Sequence, residues 1–134
     1  MFVVDASVTM AWCFADEVTP ATEAVLDLFG GDGAVVPAIW PLEIANVLLV
    51  AERRGRLSEA QASRFLDLLQ QLPIEVDEVP VDLAGVVATG RRHALSAYDA
   101  SYLALAERTG APLATLDRRL GEAAVRAGVP LLIR

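Results

Sequence analysis

Phe2-Val3-Val4-Asp5-Ala6-Ser7 is an apolar, β-rich run that ends on an acid and passes directly into a helix-forming segment. Leu113-Ala114-Thr115-Leu116-Asp117 repeats that arrangement near the other end of the chain. Between them strand and helix signals alternate. Ala34–Val36 and Ile74–Val79 read as short strands, and Pro130–Ile133 as a last one. Ala6–Phe14 reads as a helix, and Thr19-Pro20 starts another that stops at Gly30-Gly31. Pro41 opens a helix closed by Gly55, and Ser58-Glu59-Ala60-Gln61 is a capping box for the next. Val81–His93, Ala97–Thr109 and Arg118–Ala127 complete the helices. Strands alternating with helices predict the α/β class, and strands that are short apolar runs, all but the alternating Ile74–Val79, predict a sheet covered on both faces. The expectation is one domain over residues 1–134, a parallel sheet of four to five short strands flanked by helices.

Composition excludes several chemistries. Cys13 and His93 are each alone, so neither an internal disulfide nor a zinc site of Cys and His can form. No Ser or Cys sits in a nucleophile elbow to pair with His93. No G-x-x-x-x-G-K-[ST] is present, and Gly30-Gly31-Asp32-Gly33 precedes a strand and reads as a turn. An Asp-x-Asp phosphatase motif after the first strand fails because position 7 is Ser. No apolar run approaches the ~20 residues of a membrane span, and Asp5 interrupts the N-terminus too early for a signal peptide. A cytoplasmic protein without membrane attachment is expected. Hydrophobic residues make up 54% of the chain and mean hydropathy is +0.44, which predicts either a partner-facing apolar surface or simply an Ala- and Val-rich core. Trp12 and Trp40 are candidates for such a surface, with core packing favoured for Trp40.

Four carboxylates stand out. Asp5 and Asp117 each end a strand run, Glu43 heads Pro41-Leu42-Glu43-Ile44-Ala45-Asn46-Val47, and Asp99 opens Tyr98-Asp99-Ala100-Ser101-Tyr102-Leu103. Taken singly, each has a structural explanation as a helix cap or a first-turn acid. Together they point elsewhere. Asp99 shares a helical stripe with Tyr102, Leu103 and Ala106, and Glu43 shares one with Asn46, Val47 and Val50. An acid on a buried stripe is costly unless paired or metal-bound. The carboxyl ends of parallel strands converge on one crevice, where these acids would meet. The chain contains no lysine to balance them. A hard divalent cation, Mg²⁺ or Mn²⁺, suits such a donor set, and metal-assisted phosphodiester chemistry follows. Ser7, Asn46 and Thr115 are small polar side chains placed to steady the acids.

Net charge is −7, from 11 basic and 18 acidic residues, which argues against a broad nucleic-acid surface. Every basic residue is arginine, however, and several are clustered. Arg53 and Arg54, Arg91 and Arg92, and Arg118 and Arg119 are candidate phosphate contacts. As solvated helix ends they would be unremarkable.

In order and spacing, Val3-Val4-Asp5-Ala6-Ser7, Pro41-Leu42-Glu43-Ile44-Ala45-Asn46, Tyr98–Ala106 and Ala114-Thr115-Leu116-Asp117 resemble the PIN-domain ribonucleases, and among them the VapC toxins of type II toxin–antitoxin modules. The resemblance covers essentially the whole chain. It implies a Mg²⁺- or Mn²⁺-dependent endoribonuclease with Asp5 and Asp99 as primary metal ligands and Glu43 and Asp117 completing the site. It also implies a homodimer, an RNA substrate and a cognate antitoxin. Two other classes stand beside it. One is a non-catalytic interaction module whose acids serve as caps or dock basic peptides. The other is a DNA-directed nuclease of the same fold, ranked lower because the short chain lacks extra elements for gripping a duplex.

Overall fold

Strand β1 (Phe2–Val4) sets the frame. In the computed structural model, which describes residues 1–133, it is fully buried between two parallel neighbours, β2 (Ala34–Val36) and β4 (Leu113–Ala114). Val3 lies opposite Val35 on one side and Leu113 on the other. β3 (Ile74–Val76) extends the sheet beyond β2, giving the order β3-β2-β1-β4. β1, β2 and β4 lack polar alternation because both faces are covered. At the edge, Glu75 and Val76 of β3 are exposed.

The chain winds outward from β1 to β2 to β3, then returns to lay β4 against the other side of β1. The winding therefore reverses at β1 and β4, and their carboxyl ends bound the crevice where open parallel sheets bind ligands. Seven helices fill the connections: α1 (Ala6–Ala11), α2 (Pro20–Asp27), α3 (Trp40–Arg53), α4 (Glu59–Gln71), α5 (Leu83–His93), α6 (Ala97–Thr109) and α7 (Arg118–Arg126). α6 packs on β1 and β4 with α5 and α7 beside it, while α1 packs on α3 and α3 on α4. α6 is anchored by Ala100, Tyr102, Leu103, Leu105 and Ala106, all buried. Each large apolar side chain so buried contributes roughly 1.5–3 kcal/mol. At its N-terminus Ser96 Oγ accepts the Asp99 N–H at 3.1 Å, and at its C-terminus Gly110 takes the left-handed conformation (φ 68°). The site-bearing end of α6 is thus fixed by its cap and by the packed stripe behind it.

Several boundaries differ from the sequence expectation, among them β4, which stops at Ala114 rather than Leu116, and four have a clear local reason. β3 stops at Val76 because β2 ends at Val36. The Asp77 N–H takes the Val36 carbonyl at 2.8 Å, leaving Glu78 and Val79 no strand to join. The segment 130–133 is reduced to one parallel bridge, Leu131 with Leu113, since β4 is only two residues long. α1 ends at Ala11, where the Trp12 N–H turns to nearby carbonyls in a tighter turn. α5 begins at Leu83, because Asp82 caps it by accepting the Gly85 N–H. Trp40 is a core residue, its indole N–H donating to Thr9 Oγ1 at 3.1 Å. Trp12 is half-buried against Phe29, its indole N–H bonded to the Thr22 carbonyl. Among the described residues no helix is long and apolar enough to cross a membrane.

Candidate active site

Asp5 follows directly from β1, and its own N–H still pairs with the Ala114 carbonyl at 3.1 Å. The sheet therefore places this side chain. Asp5 is 4% exposed, and both carboxylate oxygens are engaged. Oδ1 accepts from Ser7 Oγ at 2.6 Å and from the Val8 N–H at 3.1 Å, which caps α1. Oδ2 accepts from Thr115 Oγ1. Burial pushes the carboxyl from its ordinary 3.8 up to about 6. The hydrogen bonds from Ser7, Thr115 and Val8 oppose that rise, and the charge of Asp99 adds to it.

The same two hydroxyls tie down the loop after β4. Thr115 Oγ1 accepts the Asp117 N–H at 3.0 Å, and Ser7 Oγ accepts the Leu116 N–H at 2.9 Å. Asp117 caps α7 through Oδ1, which accepts from the Leu120 N–H at 2.9 Å, and is itself exposed. Capping and site-building therefore coincide at Asp5 and Asp117, since a cap needs only one of the two oxygens.

Glu43 lies in the first turn of α3 and Asp99 in the first turn of α6, each half-buried. Burial raises the Glu43 carboxyl, with the charge of Asp99 adding and a hydrogen bond from Tyr102 opposing. Asp99 is likewise raised, first by burial and then by the charge of Asp117, with the bond from Ser96 opposing. The charge of Asp99 thus reaches both Asp5 and Glu43, and that of Asp117 reaches Asp99. Four acids from four chain segments act on one another through their charges.

No arginine among the described residues pairs with them. Among the described residues the arginine–carboxylate pairs are Arg56 with Asp16 and Glu17, Arg108 with Asp77, and Arg118 with Glu122, and none involves the four acids. Nor, among the described residues, do three His, Cys, Asp or Glu side chains close on one point as a finished cage would. The acids are oxygen donors whose charge no ion pair among the described residues compensates. Hard divalent ions that keep part of their water shell bind such donors, with one or two carboxylates as direct ligands.

Of the supporting residues expected from sequence, Ser7 and Thr115 bond to Asp5. Asn46, expected to steady Glu43, is exposed and makes no hydrogen bond to it. Its place is taken by Tyr102, whose hydroxyl donates to Glu43 Oε1 at 2.6 Å. A tyrosine three residues beyond Asp99, on an otherwise aliphatic stripe, was the available signal, because a buried phenol needs a partner. The arginines divide by position. Arg118 and Arg119 follow Asp117 directly, and Arg91 and Arg92 lie in the last turn of α5, before the short link to α6. Arg53 and Arg54 end α3, so Arg53 lies about 15 Å along the axis from Glu43.

The model of the PIN domain family matches residues 2–126. The chain belongs to the PIN-domain family. Ribonuclease VapC3 of Pyrobaculum aerophilum is 40% identical over 82 residues, 60% of this chain and 63% of that protein. The match thus spans less than two thirds of that relative's length. Ribonuclease VapC9 of Mycobacterium tuberculosis is 35% identical over 122 residues, covering 91% of this chain and 90% of the relative. A crystal structure from Pyrobaculum aerophilum, PAE2754, superposes with a TM-score of 0.71 at 30% identity, over 91% of this chain and 83% of that one. A toxin–antitoxin complex from Klebsiella pneumoniae shares the PIN fold, with a TM-score of 0.59 at 17% identity over 87% of each chain.

Proposed function

We propose that this PIN-domain protein is a divalent-metal-dependent endoribonuclease, the toxin of a toxin–antitoxin module acting on cytoplasmic RNA as a single domain. The observation that bears most weight is the shared field of Asp5, Glu43, Asp99 and Asp117 at the sheet's switch point, with no ion pair among the described residues to neutralise it. The ribonuclease names of its VapC relatives point to RNA as the polymer.

In this reading Asp5 and Asp99 are the primary ligands of Mg²⁺ or Mn²⁺, with Glu43 and Asp117 completing the site. Bound there, the cation would polarise the scissile phosphate and ready a water for in-line attack. The protein's own residues do the rest. Ser7 and Thr115 fix the plane of Asp5 and favour its ionised form. The N-termini of α6 and α7 partly offset the charges of Asp99 and Asp117. Glu43 has one oxygen held by Tyr102 and a carboxyl raised above its usual range, which suits it to accept the proton released by the attacking water. Arg118 and Arg119, next to Asp117, and Arg91 and Arg92, before α6, would meet phosphates flanking the cut. Exposed Leu66 and Leu68 on α4 and Val79, Val81, Leu83 and Val87 around α5 offer apolar area for an antitoxin and a second copy.

The test is cleavage by purified protein. The wild type should cut RNA with Mg²⁺ or Mn²⁺, stop on chelation and leave matched DNA uncut. Asp99→Asn should lose at least about 100-fold in rate while keeping its fold. Full activity of Asp99→Asn would remove the metal-site assignment. Cleavage of DNA in preference to RNA would assign a DNA-directed nuclease of this fold, and a chain that cuts neither would be an interaction module.

A further inference from the structure

Tyr102 joins two of the elements that bear the acids, α6 and α3. It belongs to α6, three residues beyond Asp99, and is 1% exposed. Its hydroxyl donates to Glu43 Oε1 on α3 at 2.6 Å and lies near Asp5 and the backbone of Ala6, the residue after it. A phenol has one proton to donate. Here that proton is committed to Glu43.

We propose that Tyr102 is a positioning residue for the nuclease site: it fixes which oxygen of Glu43 is free for a metal ion and holds the Glu43 and Asp99 segments in mutual register. The inference rests on the metal-nuclease reading above. Two features argue against a purely structural hydroxyl. The ring alone would fill the space in the core, so packing does not require the oxygen. The partner is also one of the four acids, whereas Trp40, equally a core residue, spends its polar atom on the hydroxyl of Thr9. With Tyr102 on Oε1, no hydrogen bond among the described residues engages Oε2, which is left for a metal ion. Without the phenol the carboxylate can turn about its terminal torsion, a broad well that packing alone does not fix. Partners that orient a metal ligand in this way typically contribute 10–100-fold to metal affinity or activity.

The test is Tyr102→Phe, read first by Mn²⁺ binding to the RNA-free protein in calorimetry. Affinity should fall about tenfold, and kcat should fall by a similar factor with KM for RNA unchanged. In a Glu43→Ala background the same change should cost no further Mn²⁺ affinity, because the residue through which Tyr102 acts is gone. Unchanged Mn²⁺ affinity in Tyr102→Phe, or an equal added loss in the Glu43→Ala background, overturns the inference while leaving the nuclease reading intact. A wild type that takes up no Mn²⁺ overturns both. Should Tyr102→Phe melt too low to assay, the native phenol can report. The chain has two tyrosines, and Tyr98 is exposed, so Tyr98→Phe leaves Tyr102 as the sole phenol. Its resonance Raman hydrogen-bond marker should shift when Mn²⁺ is added, and a marker that does not move also overturns the inference.

Discussion

Thr115 and Asp5 are 110 residues apart in sequence and share a buried hydrogen bond from Oγ1 to Oδ2. Because Thr115 also accepts the Asp117 N–H, one hydroxyl fixes an inner acid and the start of the helix bearing an outer one. Parallel pairing of β1 with β4 makes the contact possible, since it sets Val4 beside Ala114 and brings the next residues of both strands out together. Ser7 makes the complementary link, from Asp5 to Leu116.

Thr115→Val keeps the shape and removes the donor. The bond it deletes favours the ionised form of Asp5, whose carboxyl already sits at about 6, so the group should titrate higher still. The acid limb of the pH–rate profile for RNA cleavage should move to higher pH, and the rate at neutral pH should fall about 10–100-fold. Thr115→Ser should restore most of both. A Thr115→Val profile superimposable on the wild type would show that the hydroxyl does not tune Asp5.

Asp5→Asn separates stability from function. In the metal-free fold the Asp5 carboxyl is raised from 3.8 to about 6. The native state therefore holds a proton there that the unfolded chain has released. Stability linked to this group is fully present below about pH 4 and is lost as pH rises through 6, a difference of roughly 3 kcal/mol at most. A neutral Asn escapes that loss. Metal-free Asp5→Asn should melt higher than the wild type at pH 7.5 and equally at pH 4, while being inactive on RNA. Mn²⁺ should raise the melting temperature of the wild type at pH 7.5 and barely move that of the variant. Thermal melts at the two pH values, with and without the ion, give the answer.

Much of this arrangement was legible in the residues. Local signals suffice for a strand that ends on an acid, a Ser58–Gln61 box or a glycine stop, because caps and turns are made by neighbours in sequence. The parallel sheet followed from their alternation. Two things were not legible. Strand lengths depend on the partner strand, so Glu78 and Val79 looked β-prone although β2 had already ended. The partner of Glu43 depended on how α3 and α6 pack. Asn46 is close in sequence, but it lies on the exposed side of α3, whereas Tyr102 arrives from 59 residues away.

Ala94 closes α5 in the left-handed conformation, at φ 55° and ψ 44°. A Cβ there costs about 1–2 kcal/mol relative to glycine. Glycine's greater freedom in the unfolded chain returns roughly 0.4–1 kcal/mol of that. Ala94→Gly should therefore stabilise the fold slightly, raising the melting temperature by about 2–4 °C. The link from α5 to α6, and with it the cap at Ser96, should be unchanged, so RNA cleavage should stay at the wild-type rate. A lower melting temperature would mean that Ala94 makes a contact outweighing its backbone cost.

The arginines provide the sharpest test of the RNA surface, because their positions differ while their chemistry does not. Arg119 is exposed, two residues from Asp117, and makes no ion pair among the described residues, whereas Arg118 is held by Glu122 at 3.0 Å. Arg53 and Arg54 stand at the far end of α3 from Glu43. Removing one phosphate contact lowers affinity across all sequences and reduces the slope of log affinity against log salt by about one. Arg119→Ala should therefore raise KM for RNA, leave kcat nearly unchanged and flatten the salt dependence by that amount. Arg53→Ala with Arg54→Ala should change none of these. If the distal pair instead weakens RNA binding as much as Arg119→Ala, the substrate runs along α3 and the phosphate track leaves the neighbourhood of Asp117.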